Sequence, residues 1–476
     1  MGDEIASSQF SDEDFARYRE RLRAETELLA QWFEAGYFHD DGYRAGYELE
    51  IWLVDENQQP APCNEDFLEK LHSDLASPEL ARFNVELNST PQALQDHAFS
   101  RFHDELTRTW QQCQATARDM QADICAIGIL PTVRNEDLNL GNMSQMARYR
   151  ALNRQVLHLR SGKPLTFDIN GVEHLRVVHR DVMLESAATS FQIHLQGSTQ
   201  ESARLYNSAI LLSAPMVALS ANSPFLFGKL LWEETRIPLF EQAVATGGFE
   251  GAKFGPVRRV TFGDRYVRDS LLECFQENLE HYPVMLPEHF DAPVEAMRHL
   301  RLHNGTIWRW NRPLIGFDTA GRPQLRVEHR VVPAGPSLID AIANTAFFCG
   351  ACVATARQAT AVQPALDFGS ARDNFYAAAR LGLRAQLKWT DGRRLPAREL
   401  LCELVELAED GLDFLGIASA DINEYLGVIR ARLAAATNGS VWQRAWVEKH
   451  GRDMAALTRA YMERQFSGEP VHEWSV

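Results

Sequence analysis

GYELEIWLVDE, residues 46–56, alternates Tyr47, Leu49, Ile51 and Leu53 with Glu48, Glu50 and Trp52. Successive side chains on a strand point to opposite faces, so the stretch predicts a β-strand with one apolar face. Glu48 and Glu50 then share the other face, about 7 Å apart at two strand rises. Neighbouring carboxylates repel. Either that face is wet, or something positive sits on it.

Three further stretches carry the same pattern. In FNVELN, 83–88, Phe83, Val85 and Leu87 face a core and Glu86 points away with Asn84 and Asn88. In SFQIHLQ, 190–196, Phe191, Ile193 and Leu195 are apolar, while Gln192, His194 and Gln196 lie opposite. In LRVEHRV, 325–331, Leu325 and Val327 oppose Arg326, Glu328 and Arg330. A solvated face of an antiparallel sheet accounts for any one of these strands. Together they gather Glu, Gln, His and Arg, without Lys or Thr at the strand centres. Clustering acids costs stability unless a cation neutralises them.

The residue types point to the cation class. Glu48, Glu50, Glu86, Glu328 and His194, with no cysteine, suit Mg²⁺ or Mn²⁺ rather than structural zinc. Four carboxylates exceed the needs of one such ion, so two or more are expected. Arg326 and Arg330, beside Glu328, suit the oxygens of a phosphate or carboxylate. Metal ligands and guanidinium groups on one sheet face suggest phosphoryl transfer from a nucleotide. No G-x-x-x-x-G-K-[ST] occurs, so a P-loop does not hold that nucleotide.

Along the chain, Ser11 and Gly36 bracket a predicted helix. Helices are predicted over 98–122, 143–160, 203–221 and 231–246, with a buried strand at 124–130. GGFEGAKFGPVRRVTFGD, within 247–264, reads as a long Gly-rich loop in which Lys253, Arg258 and Arg259 are either solvated or poised over phosphates. Residues 305–317 and 323–332 flank DTAGR as a hairpin. Helices follow over 336–361, 370–387, 396–415, 421–436 and 440–466, with DGRRLP (391–396) as a separator. Early alternation and late helices define an α+β chain.

The chain has 476 residues, 45% hydrophobic and 24% charged, with a formal net charge of −16. This acidity opposes non-specific binding to nucleic acid or anionic lipid, so neither is an expected partner. The acidic N-terminal stretch has no apolar signal segment, and Gly2 lacks the basic second anchor of a myristoylated chain. Leu205–Gly228 carries no charge, but its Ser, Asn and Pro residues favour a buried helix over a membrane span. Seven scattered cysteines indicate a reducing, cytoplasmic setting. Cys349 and Cys352 form a C-x-x-C inside an apolar helical pattern, which reads as two buried thiols rather than a redox pair. Trp308 and Trp310 read as packing residues, and His97, His103 and His158 as structural.

The order of several stretches resembles glutamate–cysteine ligase family 2, in the glutamine synthetase superfamily. They are GYELEIWLVD (46–55), VELNSTPQAL (85–94), RY (148–149), FQIHLQ (191–196), ALSANSPFLFG (218–228), GTIWRWNRP (305–313) and LRVEHR (325–330). The resemblance implies a curved, mainly antiparallel sheet flanked by helices, with metals on its concave face. It implies an ATP-dependent carboxylate–amine ligase acting on small molecules through an acyl phosphate. Glu48, His194 and Glu328 would group at one metal and Glu50 with Glu86 at another. Arg330 and Glu328 would be catalytic. Arg312, Arg236, Gln192 and Arg326 would meet substrate or phosphate. Many members carry His-x-His where this chain has Gln192 and His194. The implied organisation is an N-terminal helix over 1–38, a catalytic domain over 39–365 and a helical region over 366–476. The alternatives are a guanidino-compound kinase of the same superfamily, which would release ADP without forming an amide, and a non-catalytic binding relative. A homo-oligomer is left open.

Overall fold

The computed structural model describes residues 5, 7–246 and 258–476. Its central feature is an antiparallel sheet that runs through the four sequence stretches above. The strand order is Asn311–Phe317, Pro323–His329, Phe191–Gln196, Arg44–Val54, Asn84–Asn88 and Ala76–Pro78. Gln92–Ala93 and Asp123–Cys125 pair with the two ends of Arg44–Val54. The sheet curls into a half-barrel with helices packed outside it.

Alternation sets the two faces. The apolar side is closed by helices Ala98–Asp119, Thr199–Ser220 and Leu338–Gln358. Tyr47 sits between Phe102 and Phe191, with ring centroids 5.6 and 5.3 Å away. His329 stacks on Phe348 at 4.1 Å, tying a sheet strand to Leu338–Gln358. That helix crosses Ala397–Leu415 where two glycines meet. A Cβ on Gly411 would collide with the Gly350 carbonyl oxygen, so only glycine permits the approach.

Leu338–Gln358 is long and apolar enough to cross a membrane, but 83% of its apolar window is buried in the protein. The uncharged stretch from Leu205 falls mostly in Thr199–Ser220, whose residues from Leu205 onward are all buried. Cys349 and Cys352 are fully buried, and burial pushes both thiols up, the arrangement of inert packing residues.

Helix Asp12–Ala35 starts and stops where its caps predict. Ser11 and Asp14 form a reciprocal capping box, and Gly36 ends the helix at φ 62°. It docks through Glu25, which accepts from Leu300 N at 2.7 Å and lies 2.7 Å from His299 Nδ1. This fixes helix Arg298–Gly305 at the rim of the sheet.

Several expectations change. The run 124–130 is strand only to Cys125; beyond it, Ile127 and Gly128 present their carbonyls to Thr189, and apolar composition alone does not separate these cases. Helix 231–246 shortens to Arg236–Ala243, and 143–160 to Ala147–Leu159. The final helix divides at Gly451, φ 90°, into Gly439–His450 and Met454–Ser467. DGRRLP turns within a small two-stranded sheet, Gln386–Lys388 with Arg394–Pro396. Residues 247–257, with Lys253, lie outside the described residues. Arg259 is not a solvated loop residue: it is 1% exposed and donates to Thr306 O at 2.8 Å and to Pro283 O.

Candidate active site

The register of the sheet assembles the site. Glu328 stands opposite His194, and Arg312 opposite Glu328. Glu48 stands opposite Gln192 on one side and Asn88 on the other. Glu50 stands opposite Glu86. Glu48, Glu50, Glu86, Gln192, Arg312 and Glu328 line a cavity of about 250 Å³, and His194 lies behind its wall against Glu48 and Glu328.

Donor atoms of Glu48, His194 and Glu328 all lie within 4.8 Å of one another. His194 Nε2 is 3.3 Å from Glu48 Oε1 and 3.7 Å from Glu328 Oε1, and it is buried without meeting hydrogen-bond geometry. Burial opposes ionisation of Glu48, but the adjacent His194 outweighs it and holds the carboxyl well below its ordinary value. Glu328 is likewise opposed by burial and stabilised by Arg312 and Arg330, which bring it down to about 2. Arg312 clasps Glu328 with Nε at 2.7 Å and Nη2 at 3.0 Å. Arg330 Nη1 donates to Glu328 Oε2 at 3.1 Å and also to Gln192 Oε1.

Gln192 lies two residues before His194 on the same face of its strand. Its Nε2 donates to Glu50 Oε1 at 2.9 Å while its oxygen accepts from Arg330. A carboxamide can do both at once. It therefore links the two acidic groups of the site.

The second group is Glu50, Glu79 and Glu86, whose oxygens also fall within 4.8 Å of one another. Glu50 accepts from Ser190 N at 2.6 Å and from Ser190 Oγ at 2.9 Å. Burial and the neighbouring Glu79 push Glu50 up to about 7. Burial, with Glu48 and Glu79, pushes Glu86 well above its ordinary value. Glu185, on the turn Met183–Ala187, is pushed up to about 8 by burial and by Glu79 and Glu50. This end of the cavity gathers buried carboxyls that resist losing their protons.

The donor sets fit hard divalent cations. They offer carboxylate oxygens and one imidazole, no thiolate, and an orphaned buried nitrogen at His194. Each triad leaves the remaining coordination positions of a six-coordinate ion to water or substrate oxygens.

Glu79 and Glu185 escape the sequence reading. Glu79 follows the three-residue strand Ala76–Pro78 and Glu185 lies on a 3₁₀ turn, so neither carries an alternation signal. Arg148 and Tyr149, marked in the sequence only by a family stretch, also line the cavity; Arg148 Nη2 donates to the Tyr149 hydroxyl at 2.6 Å. Arg326 lines the cavity, and its buried Nε has no partner. Arg236 is turned to internal partners: Glu234 at 3.2 Å, Val331 O at 2.5 Å and the ring of Trp310 at 5.3 Å. These partners account for its burial.

The antiparallel sheet thus brings acids, a histidine and arginines together on one face. The sequence profile of glutamate–cysteine ligase family 2 matches residues 44–463, and the chain belongs to that family. Membership makes it an ATP-dependent carbon–nitrogen ligase that joins a carboxylate to an amine. Among solved structures it is similar to a glutamate–cysteine ligase from Francisella tularensis in complex with AMP. The TM-score is 0.56 at 11% identity, over 90% of each chain. It also matches a bifunctional glutathione synthetase from Pasteurella multocida, with a TM-score of 0.49 and 10% identity, over 93% of this chain and 55% of that one. A glutamine synthase homologue matches with a TM-score of 0.33 and 14% identity, over 94% of this chain and 74% of that one. Among curated proteins, none matches the chain in sequence.

Proposed function

We propose that the enzyme forms an amide through an acyl phosphate, using Mg²⁺ or Mn²⁺. One observation carries this reading. Two donor triads adjoin one cavity, which all their glutamates line, and Arg330 and Gln192 connect them through hydrogen bonds to Glu328 and Glu50.

In this reading Glu48, His194 and Glu328 would hold one ion, and Glu50, Glu79 and Glu86 a second; ions held there would supply neutralisation of phosphate charge and polarisation of the γ-phosphoryl group. Arg330, fixed by Glu328 and Gln192, stabilises the charge on the γ-phosphoryl as a carboxylate oxygen attacks it and ADP leaves. Arg312 and Arg326 offer guanidinium groups to phosphate oxygens. The amine nitrogen then attacks the carbonyl carbon, phosphate departs, and the amine gives up a proton. Residues 39–365 would form the catalytic domain, with helix Asp12–Ala35 and the region 366–476 packed on it.

The test is a screen of carboxylates and amines for ADP release with ATP and Mg²⁺, with products identified by mass. An amide whose formation requires both partners supports the reading. Glu50→Gln and Glu328→Gln are expected to abolish amine-dependent ADP release in folded protein. ADP released with a phosphorylated guanidine as product would replace the ligase by a kinase. Unchanged turnover in either variant would remove that residue from the mechanism.

A further inference from the structure

Beside the main cavity lies a smaller compartment of about 40 Å³. Its wall includes Glu50, Glu79, Glu185, Asn84, Phe240 and Trp310. It shares Glu50, Glu79, Glu185 and Arg330 with the larger cavity, so the two adjoin. A cavity needs roughly 10–15 Å³ by this measure to hold one water. The compartment therefore takes a group of about three heavy atoms.

Its unpartnered polar groups select what enters. Of the two guanidinium groups on its wall, that of Arg236 is engaged by Glu234 and Val331 O. That of Arg330 is engaged by Glu328 and Gln192. On the acidic side, Glu185 makes no side-chain hydrogen bond or ion pair with the described residues, and Glu79 accepts only from the adjacent Leu80 N at 3.1 Å. Asn84 is 2% exposed, and its Nδ2 has no partner. A carboxamide in that position can turn either its oxygen or its nitrogen toward an occupant. Phe240 and Trp310, 5.9 Å apart and edge to face, supply aromatic surface of the kind that attracts ammonium groups.

We propose that this compartment binds the ammonium head of the amine co-substrate, that Glu185 is its specificity determinant, and that the amine is a small primary amine without a carboxylate on the carbon bearing nitrogen. The assignment rests on the ligase reading above. An α-carboxylate brings the head, from the nitrogen through both carboxylate oxygens, to five heavy atoms, more than the compartment's about three, and sets a negative charge against Glu185. The rest of the amine extends into the larger cavity, where Arg330 lies at the junction of the two spaces. The nitrogen is thereby held next to the group that steadies the γ-phosphoryl, and it becomes a nucleophile once the ammonium has passed one proton to the Glu185 carboxylate.

The experiment is calorimetric titration of the full-length enzyme with methylammonium chloride and, separately, with glycine. It is run with Mg²⁺ and a non-hydrolysable ATP analogue present, against a sodium chloride control. Methylammonium is expected to bind, and glycine to bind at least about tenfold more weakly. Glu185→Gln is expected to weaken methylammonium at least about tenfold while leaving affinity for the ATP analogue unchanged. Ala188→Leu, which fills the compartment without altering a charge, is expected to do the same. If the analogue binds but methylammonium does not, or if Glu185→Gln binds it as the parent does, the compartment assignment falls and the ligase reading stands. Glycine binding as tightly as methylammonium also overturns it. If the parent enzyme does not bind the analogue, both readings fall. A variant that loses the analogue is misfolded, and the other variant then decides.

Discussion

Glu86→Gln is expected to stabilise the protein in the absence of divalent cations and to weaken its response to them. Glu86 is 3% exposed, faces Glu50 across the sheet, and has oxygens within 4.8 Å of Glu50 and Glu79. Among the described residues, its one side-chain hydrogen bond is from Asn88 Nδ2 at 3.2 Å. Two like charges about 5 Å apart, at an effective dielectric constant near 20, repel by about 3 kcal/mol. Proton uptake limits that repulsion, because burial and the neighbouring Glu48 and Glu79 already raise the Glu86 carboxyl. The cost then appears as about 1.4 kcal/mol for each pH unit over which the proton is retained. The two bounds place the gain from glutamine at about 1–3 kcal/mol. Thermal unfolding in EDTA and then in excess Mg²⁺ measures it. The parent should gain markedly in Tm with Mg²⁺ by mass action, while the variant starts higher and gains less. A variant that melts lower in EDTA and gains as much from Mg²⁺ would refute the charge argument.

Other substitutions probe separate parts. Arg330→Lys should lower kcat by about 10²–10³-fold with little change in Tm, since an ammonium cannot span Gln192, Glu328 and a phosphoryl group together; steady-state kinetics beside a melting curve checks this. Gly411→Ala drives a methyl into the Gly350 carbonyl oxygen and should cost about 3 kcal/mol or more, read as a lowered Tm with the site residues untouched. Burial pulls His303 down to about 4 in the folded protein, so between that value and about 6.5 the unfolded chain binds more protons. Stability from neutral His303 is present above about pH 6.5 and is lost as pH falls toward 4. At pH 5 the loss reaches about 2 kcal/mol, and His303→Asn should flatten that part of the Tm–pH curve relative to the parent.

How much a sequence discloses depends on how tightly each feature is tied to a repeating pattern. A strand with one apolar face has no freedom in where its other residues point. Glu48, Glu50, Glu86, His194 and Glu328 are therefore legible together from alternation alone, and register brings them together on one face of the sheet. Glu79 and Glu185 stand on a turn after Pro78 and on a 3₁₀ turn, where no periodicity reports direction. Arg236 looks available for an anion because charge is legible in a sequence; that Val331 O, Glu234 and Trp310 occupy it depends on packing between distant elements. The run 124–130 is apolar throughout, and such a run reads equally well as a strand or as buried irregular chain. The capped helix at Ser11 and the divided helix at Gly451 show the same contrast. Reciprocal capping chemistry is local and plain in the residues, whereas one glycine inside a helical pattern is too weak a signal to mark a break.

The central claim is that acids from separate strands hold divalent cations together in the concave face of the sheet. Anomalous diffraction from crystals grown with Mn²⁺ and an ATP analogue tests it directly. One peak is expected among Glu48, His194 and Glu328, and another among Glu50, Glu79 and Glu86. Well-diffracting crystals with the analogue bound and no Mn²⁺ at either group would contradict it.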